Sequence, residues 1–359
     1  MRVLIDIETP KQVHIFKNMI WQLLKNGHDV KIVARNKDVT YELLNSYGFK
    51  YEKMGRHMKK LVLKILAMVK SDYELYKISK NFLPTLLISF GCPSSAQVSR
   101  LIKKPHIAFT DTEHSIEQYI LYAPFTDVVC TPDCFRRDMG KKQVRFSSYF
   151  ELCYLHPNYF KPNPGIFKCL GVGENEKYVV LRFNAFSASH DVGVRGFSTN
   201  QKETLVKEIE RYVKVFVSSE IELPKSLSEY TIRIPPHKIH DALYHASLYV
   251  GDTGTMCSES AVLGTPGIVF HPKAHKIGNF IDLENKYGLI SIQKTPENAI
   301  KKATELIQQD DIKQEWQKKR ERLLKDKIDI TAFMTWFIEN YPESFQIMKE
   351  NPEYQERFK

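Results

Sequence analysis

The sequence has no apolar segment long enough to cross a bilayer. A membrane-spanning helix needs about 20 consecutive apolar residues, and lysines interrupt the longest apolar runs within a few residues. The opening segment MRVLIDIETP carries an acid at position 6, and the apolar core of a signal peptide does not follow it. We therefore expect neither a transmembrane helix nor a signal peptide.

Cysteines are few, and their spacing does not indicate a metal site. The six cysteines form no CxxC pair, and Cys130 and Cys134 lack a second Cys or His pair at the spacing of a zinc site. Free thiols are typical of proteins in a reducing compartment. We therefore expect a cytoplasmic protein without a bound metal.

The chain is basic but otherwise has the composition of a globular protein. Among 359 residues, 52 Lys and Arg outnumber 42 Asp and Glu, so the net charge is +10, and 43% of the residues are hydrophobic. This composition excludes a disordered or fibrous chain, and the length predicts two domains. The charge suits nucleic acid, an anionic membrane or an anionic small molecule as partner. RNA-binding and helix-turn-helix signatures are absent, which disfavours nucleic acid.

Strand and helix patterns alternate along the chain. The segment RVLIDI, a helical pattern over 13–25 and the segment DVKIVA form a strand–helix–strand unit, and similar alternation follows in both halves. Such units build parallel sheets. We predict an α/β fold with two Rossmann-like domains that face an interdomain cleft. The predicted parts are an N-terminal domain over 1–153, a proline-rich linker over 154–165, a C-terminal domain over 166–329, and a C-terminal helix over 330–359 that could pack back on the N-terminal domain.

The most informative stretch is SLYVGDTGTMCSESAVLGTPGIVFH, residues 247–271. A strand leads into Gly251-Asp252-Thr253-Gly254-Thr255, and a helix follows at once. The glycines allow a tight turn, and the helix N-terminus offers N–H groups and a positive dipole that suit phosphate. Glu259 follows one turn later on the same side, where it could accept hydrogen bonds from ribose hydroxyls. The alternative is an ordinary strand–turn–helix with a capping threonine.

This stretch is similar to the C-terminal-domain signature of nucleotide-sugar enzymes with the GT-B fold, including non-hydrolysing UDP-N-acetylglucosamine 2-epimerases and many glycosyltransferases. More closely, the chain resembles a GT-B-like domain family of unknown function from archaea and bacteria, over about residues 1–310. The matching stretches are ISFGCPSSAQVSRLIKKPHIAFTDTEH, YLHPNYFKP, YVVLRFNAFSASHDVG, SSEIELP and GDTGTMCSESAVLGTPGIVF.

The resemblance implies roles for several residues of the C-terminal half. Thr253, Gly254 and Thr255 would meet a diphosphate, and Glu259 would meet the ribose. A loop that contains His237, after a predicted strand over Thr231–Ile234, would border the base. Asp252 belongs to the same nucleotide-binding set.

Two acids of the N-terminal half are candidates for acid–base catalysis. In the segment FTDTEHSIEQY, Glu113 and Glu117 stand where the epimerases carry catalytic acids. A carboxylate acts as general acid or base when its surroundings bring its pKa near the working pH. The alternative is helix-start chemistry, because Thr110, Asp111 and Thr112 are favourable N-cap residues.

The chain departs from the epimerase pattern at several points. Cys92 replaces the catalytic acid of an earlier turn, the segment IETP replaces the N-terminal loop of the epimerases, and their His-Arg pair is not matched. These differences favour a transferase over an epimerase. His14, at the start of the first helix, is a further candidate for the general base. The alternative is a packed first-turn histidine.

A polar loop follows the predicted strand YVVLRF. Arg182 could clamp a diphosphate, and Ser187, Ser189 and Asp191 could contact the nucleotide-sugar. His190 could act as a base or donate to a sugar hydroxyl. The alternative is a solvated loop.

A basic amphipathic pattern covers residues 58–71, with Lys59, Lys60, Lys64 and Lys70 opposite an apolar arc. Such a helix could dock peripherally on the inner face of an anionic membrane. The alternative is a core-facing helix with a solvated basic face.

Together these patterns predict a nucleotide-sugar-dependent glycosyltransferase of surface-glycan or polysaccharide biosynthesis. Its partners would be a nucleotide-sugar donor, which is a substrate and not a cofactor, and a glycan or lipid-linked acceptor. The sequence has no Asp-x-Asp metal motif, so we expect metal independence. The alternatives are a UDP-N-acetylglucosamine-type 2-epimerase and a non-catalytic nucleotide- or glycan-binding protein.

Overall fold

The computed structural model describes residues 1–55, 61–113, 115–184, 196–219, 222–271 and 273–359, and of residues 61–67 the backbone alone. Strands and helices alternate through this part of the chain. The strands are β1 (Arg2–Ile7), β2 (Asp29–Arg35), β3 (Tyr51–Met54), β4 (Leu86–Ser89), β5 (His106–Phe109), β6 (Val128–Pro132), β7 (Gln143–Phe146), β8 (Tyr178–Phe183), β9 (Lys214–Ser219), β10 (Leu248–Gly251), β11 (Gly267–Phe270) and β12 (Ile290–Gln293). The helices are α1 (Pro10–Lys25), α2 (Thr40–Ser46), α3 (Leu61–Phe82), α4 (Pro93–Leu101), α5 (Ile116–Tyr122), α6 (Leu152–Leu155), α7 (Ile166–Leu170), α8 (Thr199–Glu210), α9 (Ile239–His245), α10 (Gly254–Leu263), α11 (Gly278–Asn285), α12 (Pro296–Ile307), α13 (Ile312–Asp326), α14 (Ile330–Glu339) and α15 (Glu343–Glu350).

The first compact unit, unit 1, comprises residues 1–154 and 327–359. Its parallel sheet has the order β3-β2-β1-β4-β5-β6-β7. Nearly all of β1 and all of β4 are buried, as is usual where helices cover both faces of a parallel sheet. Asp6 of β1 stands opposite Val33 of β2 and Ser89 of β4. The carboxyl ends of these strands therefore share one edge of the sheet.

The second compact unit, unit 2, comprises residues 155–326. Its parallel sheet has the order β12-β11-β10-β8-β9. The middle strand β10 pairs with β8 and with β11, and its last residue, Gly251, stands opposite Arg182 and Val269. The turn that follows β10 therefore begins in the middle of the sheet edge where open α/β folds commonly bind ligands.

The alternation of strands and helices is as predicted, with one wrong strand. Of the segment predicted as a strand over Thr231–Ile234, Thr231 alone pairs, through an isolated bridge to Val217. Pro235 and Pro236 follow directly, and proline has no N–H to donate to a ladder. Among the elements that the sequence pattern missed are α2 and the edge strands β3, β7 and β12, all of which are short.

The basic helix predicted over 58–71 falls mostly outside the described side chains, which exclude residues 58–67. Of the remaining residues, Lys70 is exposed and lies 3.9 Å from Glu74. Among the described residues, no helix combines the length and the hydropathy that crossing a membrane requires.

Candidate functional site

The glycine–threonine turn connects β10 to α10 at the carboxyl edge of the unit 2 sheet. A Cβ at Gly251 would lie 2.8 Å from the backbone oxygen of Arg182, and a Cβ at Gly254 would lie 2.8 Å from Cζ of the buried Phe280. Both distances are too short for a side chain. The turn therefore needs glycine at both positions because the chain packs closely there.

The N-terminus of α10 is partly exposed and has no side-chain cap among the described residues. Thr253 is the N-cap residue, but among the described residues no side chain caps the helix. The Oγ1 atom of Thr253 lies instead 2.9 Å from the hydroxyl of the buried Tyr249. Gly254 and Thr255 are partly exposed. Because the first N–H groups of a helix have no partner within the helix, this end of α10 can offer donors and a positive dipole to a phosphate.

Glu259, one turn further into α10, pairs with a histidine of α9. Its Oε1 atom lies 3.0 Å from Nε2 of His240, and both side chains are buried. A buried carboxylate is costly unless it is hydrogen-bonded. The pair therefore fixes Glu259 in place and ties α10 to α9 beside the turn.

Asp252 holds backbone segments next to the turn. Its two carboxylate oxygens accept hydrogen bonds from the N–H groups of Asn184, at 2.7 Å, and Phe197, at 3.2 Å. Burial raises the pKa of Asp252 to about 6, although these amides and the charge of Lys202 oppose the rise. Asp252 therefore ties the end of β8 and the segment before α8 to the turn.

Arg182 lies on the same sheet edge as the turn. Its Nη1 group donates a hydrogen bond of 2.6 Å to Oγ of Ser218, and the side chain is partly exposed. His237 is exposed, in the short 3-10 turn before α9. The predicted binding residues Ser187, Ser189 and Asp191 and the predicted catalytic His190 lie outside the described residues.

The two predicted acids of unit 1 have different surroundings. Glu113 is buried, and its Oε1 atom accepts a hydrogen bond of 2.7 Å from the N–H of Arg136. Glu117 is exposed in the first turn of α5. Glu113 therefore supports a backbone segment, whereas Glu117 is accessible to solvent.

His14, the third predicted catalytic residue of unit 1, is packed among aromatic side chains. Its Nδ1 atom lies 3.2 Å from the hydroxyl of Tyr47, and its ring centroid lies 5.2 Å from that of Tyr154. The ring is buried. His14 therefore lies in an aromatic contact, with its ring oriented by Tyr47.

Sequence reasoning missed a lysine–carboxylate cluster near Glu113. Nζ of Lys11 lies 2.5 Å from Asp111 and 3.4 Å from Glu151. Burial lowers the pKa of Lys11, but the two carboxylates outweigh burial and hold that pKa above its ordinary value. Lys11 therefore stays charged. The available signal was its place in the first turn of α1, directly after β1, since Asp111 follows the end of β5 in the same sheet.

A second missed cluster surrounds Asp6 at the carboxyl end of β1. The buried Asp6 carboxylate lies 2.6 Å from Nη1 of Arg35, 2.8 Å from Oγ of Ser95 and 3.1 Å from Sγ of Cys92. Burial and the charge of Asp6 raise the pKa of the Cys92 thiol. Cys92 is therefore a neutral partner of Asp6. Among the described residues, no three His, Cys, Asp or Glu side chains are close enough together to hold a metal ion.

Solved structures of nucleotide-sugar enzymes have a similar fold. The spinosyn forosaminyltransferase SpnP matches with a TM-score of 0.63 and 14% identity, over 95% of this chain and 100% of that chain. The UDP-GlcNAc 2-epimerase from Methanocaldococcus jannaschii matches with a TM-score of 0.61 and 13% identity, over 86% of this chain and 93% of that chain. At these identities the likeness concerns the fold. The predicted GT-B-like α/β class with two Rossmann-like sheets is confirmed.

Relatedness in sequence extends over most of the chain. The uncharacterised protein MJ0665 of Methanocaldococcus jannaschii is 24% identical over 282 residues, which are 76% of this chain and 82% of that protein. The family described as "Protein of unknown function (DUF354)" matches residues 1–334. The family resemblance drawn from the motifs is therefore confirmed, and the chain belongs to the DUF354 family.

Proposed function

We propose that this protein is a nucleotide-sugar-dependent glycosyltransferase that acts in the synthesis of a surface glycan or polysaccharide. The observation that carries the proposal is the partly exposed N-terminus of α10, which has no side-chain cap among the described residues and follows the close-packed glycine turn at the middle of the unit 2 sheet edge. That arrangement supports binding of a diphosphate at the helix N-terminus. The fold is also that of proteins whose names describe sugar transfer and sugar-nucleotide epimerisation.

The proposal gives each part of this edge a role. Thr253, Gly254 and Thr255 contact the diphosphate. The Arg182 guanidinium neutralises the charge that the diphosphate gains as its bond to the sugar breaks. Glu259, fixed by His240, accepts hydrogen bonds from the ribose. The nucleotide is a substrate, and the transfer needs no metal ion because the guanidinium and the helix N-terminus supply the positive charge.

In the proposal, a side chain of unit 1 removes the proton of the acceptor hydroxyl. Glu113 and Glu117 are the first candidates and His14 is the third. The Glu113 carboxylate already accepts a hydrogen bond from the Arg136 N–H. In the proposal this hydrogen bond keeps the carboxylate oriented while it takes up the proton. Glu117 is accessible without any rearrangement.

Nucleotide binding is the first test. Unfolding temperature is measured with UDP, GDP, dTDP and ADP, since a ligand at a hundred times its Kd stabilises the folded state by about 2.7 kcal/mol. The affinity of the nucleotide that gives the largest shift is then measured by calorimetry. Absence of a shift with every nucleotide would contradict the proposal.

A negative charge introduced at the proposed diphosphate site tests whether the nucleotide binds there. Thr255→Asp places a carboxylate in the first turn of α10, where it is compatible with the helix dipole but should repel a diphosphate. We expect unchanged stability and an affinity lower by at least about tenfold. Asn200→Asp, in the exposed first turn of α8, introduces the same charge elsewhere in unit 2 and should leave binding unchanged.

Products separate the proposed transferase from the alternatives. NMR of a bound UDP-sugar with enzyme alone reports inversion or deuterium uptake at C2, which an epimerase would produce without any acceptor. Sugar transfer that requires an added acceptor supports the proposal. Nucleotide binding without turnover under either condition would favour a non-catalytic binding protein.

A further inference from the structure

Helix α5 is apolar on both of its faces. On the inner face, Tyr122 is buried in the core of unit 1. On the outer face and in the turn that follows, four large apolar side chains are exposed: Ile116 (55%), Ile120 (61%), Leu121 (40%) and Phe125 (37%). A surface helix normally presents polar residues to water. We call these four side chains the α5 patch.

The end of α4, beside the α5 patch, also carries an exposed apolar side chain. Leu101, the last residue of α4, is 66% exposed. The Nε2 group of Gln97 donates a hydrogen bond of 3.2 Å to the backbone oxygen of Leu121, and Nε of Arg100 donates one of 3.1 Å to that of Phe125. These hydrogen bonds hold α4 beside α5, so exposed apolar side chains are present on two neighbouring elements, and exposed apolar surface is a usual sign of an interaction site.

Cations surround this surface. Nζ of Lys142 donates hydrogen bonds to the backbone oxygens of Ala123, at 3.2 Å, and Thr126, at 2.7 Å. The guanidinium of Arg137 lies 5.6 Å from the ring centroid of Tyr119 on α5. The cations on and beside these elements include Arg100, Lys103, Lys104, Arg137, Lys141 and Lys142, and the carboxylates include Glu117, Asp127 and Asp138. The carboxylate of Asp127 is already paired with Arg100 at 3.1 Å.

We propose that the α5 patch and its cations form a docking surface for an anionic lipid bilayer. The apolar side chains would enter the boundary between headgroups and acyl chains, as those of interfacial helices do. The exposed Lys103 and Lys104 would reach anionic headgroups, which attract basic groups near a membrane surface. Lysine is depleted at interfaces between proteins, so the charge favours lipid over a protein partner. The surface lies outside residues 58–71, and the inference does not depend on the proposed transferase activity.

Co-sedimentation of the full-length protein with vesicles tests the proposal. We expect binding to vesicles of phosphatidylcholine mixed with phosphatidylglycerol, and much weaker binding to phosphatidylcholine alone. High salt should reduce binding because it screens surface charges. Failure to bind the mixed vesicles, or equal binding to both kinds, would overturn the proposal.

Variants test whether vesicle binding depends on this surface or on non-specific attraction between the protein and the lipid. Ile116→Asp with Ile120→Asp should lower vesicle binding by at least about tenfold, since two exposed isoleucines could no longer enter the bilayer. Lys103→Gln with Lys104→Gln should lower binding to the mixed vesicles by about tenfold. Leu24→Asp with Tyr212→Asp is the matched control, because both residues are exposed, at 47% and 48%, outside the patch.

The control pair should bind vesicles like the wild type, and all variants should keep the wild-type unfolding temperature. An equal loss of binding in the control pair would overturn the proposal. The oligomeric state without lipid gives a second check. If the wild type formed a dimer that the isoleucine substitutions convert into monomers, the patch would be an interface between copies of the chain, and the proposal would be overturned.

Discussion

Oε1 of Glu259 lies 3.0 Å from Nε2 of His240, and both side chains are buried. The contact joins α10 to α9 beside the glycine–threonine turn. Substitution of either residue breaks this hydrogen bond, and the other residue stays buried without it. Effects on stability must therefore be measured together with effects on nucleotide binding.

Glu259→Ala should weaken binding of a nucleoside diphosphate by about 1–3 kcal/mol, because a charged hydrogen-bond acceptor for the ribose is lost. Calorimetry on the folded variant measures the change. His240→Ala keeps the carboxylate, so its main effect should be on stability. Glu208→Ala, at a partly exposed position on α8, should change neither quantity. Unchanged nucleotide affinity in Glu259→Ala would reject the ribose role.

Glu113→Gln and Glu113→Ala together separate catalysis from structure. Glutamine keeps an oxygen for the Arg136 amide but cannot exchange a proton, so turnover should fall by roughly 10²–10⁴-fold while stability is nearly kept. Alanine should also lower the free energy of unfolding, by roughly 1–3 kcal/mol, because the amide loses its acceptor. Glu117→Gln tests the exposed acid in the same assay. Near-normal turnover in Glu113→Gln would leave Glu113 with its structural role alone.

Gly254→Ala should lower the free energy of unfolding by about 1–3 kcal/mol, because its Cβ would overlap the Phe280 ring. Urea denaturation measures the loss. Gly173→Ala is the control, since the nearest atom to a Cβ there is 3.9 Å away. Adding Phe280→Leu to Gly254→Ala should recover part of the loss. A fully stable Gly254→Ala variant would show that the turn tolerates a side chain.

Stability should depend on pH through Asp252, whose pKa burial raises from 3.8 to about 6. Between these values the folded protein holds a proton that the unfolded chain releases. The free energy of unfolding should therefore fall as pH rises from about 3.8 to about 6, by up to about 3 kcal/mol, and stay level above that range. Urea denaturation of the wild type and Asp252→Asn across this range isolates the effect. Parallel pH profiles of the two proteins would contradict it.

Sugar transfer should persist in excess EDTA, because the proposed site neutralises the diphosphate with Arg182 and the N-terminus of α10. The measurement is initial rate with and without the chelator. Complete loss of transfer that returns when Mg²⁺ or Mn²⁺ is added would show that the reaction needs a metal ion.

The sequence alone was enough to predict the GT-B-like class and the glycine–threonine turn between β10 and α10. Alternating apolar segments and helical patterns are local properties, so they predict strands and helices without knowledge of distant contacts. The glycines of the turn are recognisable because their spacing lies within one short segment. The strand predicted over Thr231–Ile234 was wrong, since pairing stops at the single bridge of Thr231, and the two prolines that follow have no N–H to extend the ladder.

Tertiary structure alone decided which charged residues meet. Asp6 and Arg35, or Lys11 and Asp111, are far apart in the chain and come together because parallel strands end at one sheet edge. His240, the partner of Glu259, lies on another helix, and the hydrogen bond that Glu113 accepts comes from the backbone N–H of Arg136. Local patterns cannot predict such pairs, because they depend on the order in which strands join a sheet. The exposure of the α5 patch has the same origin: an apolar helix is buried or exposed according to which elements cover it.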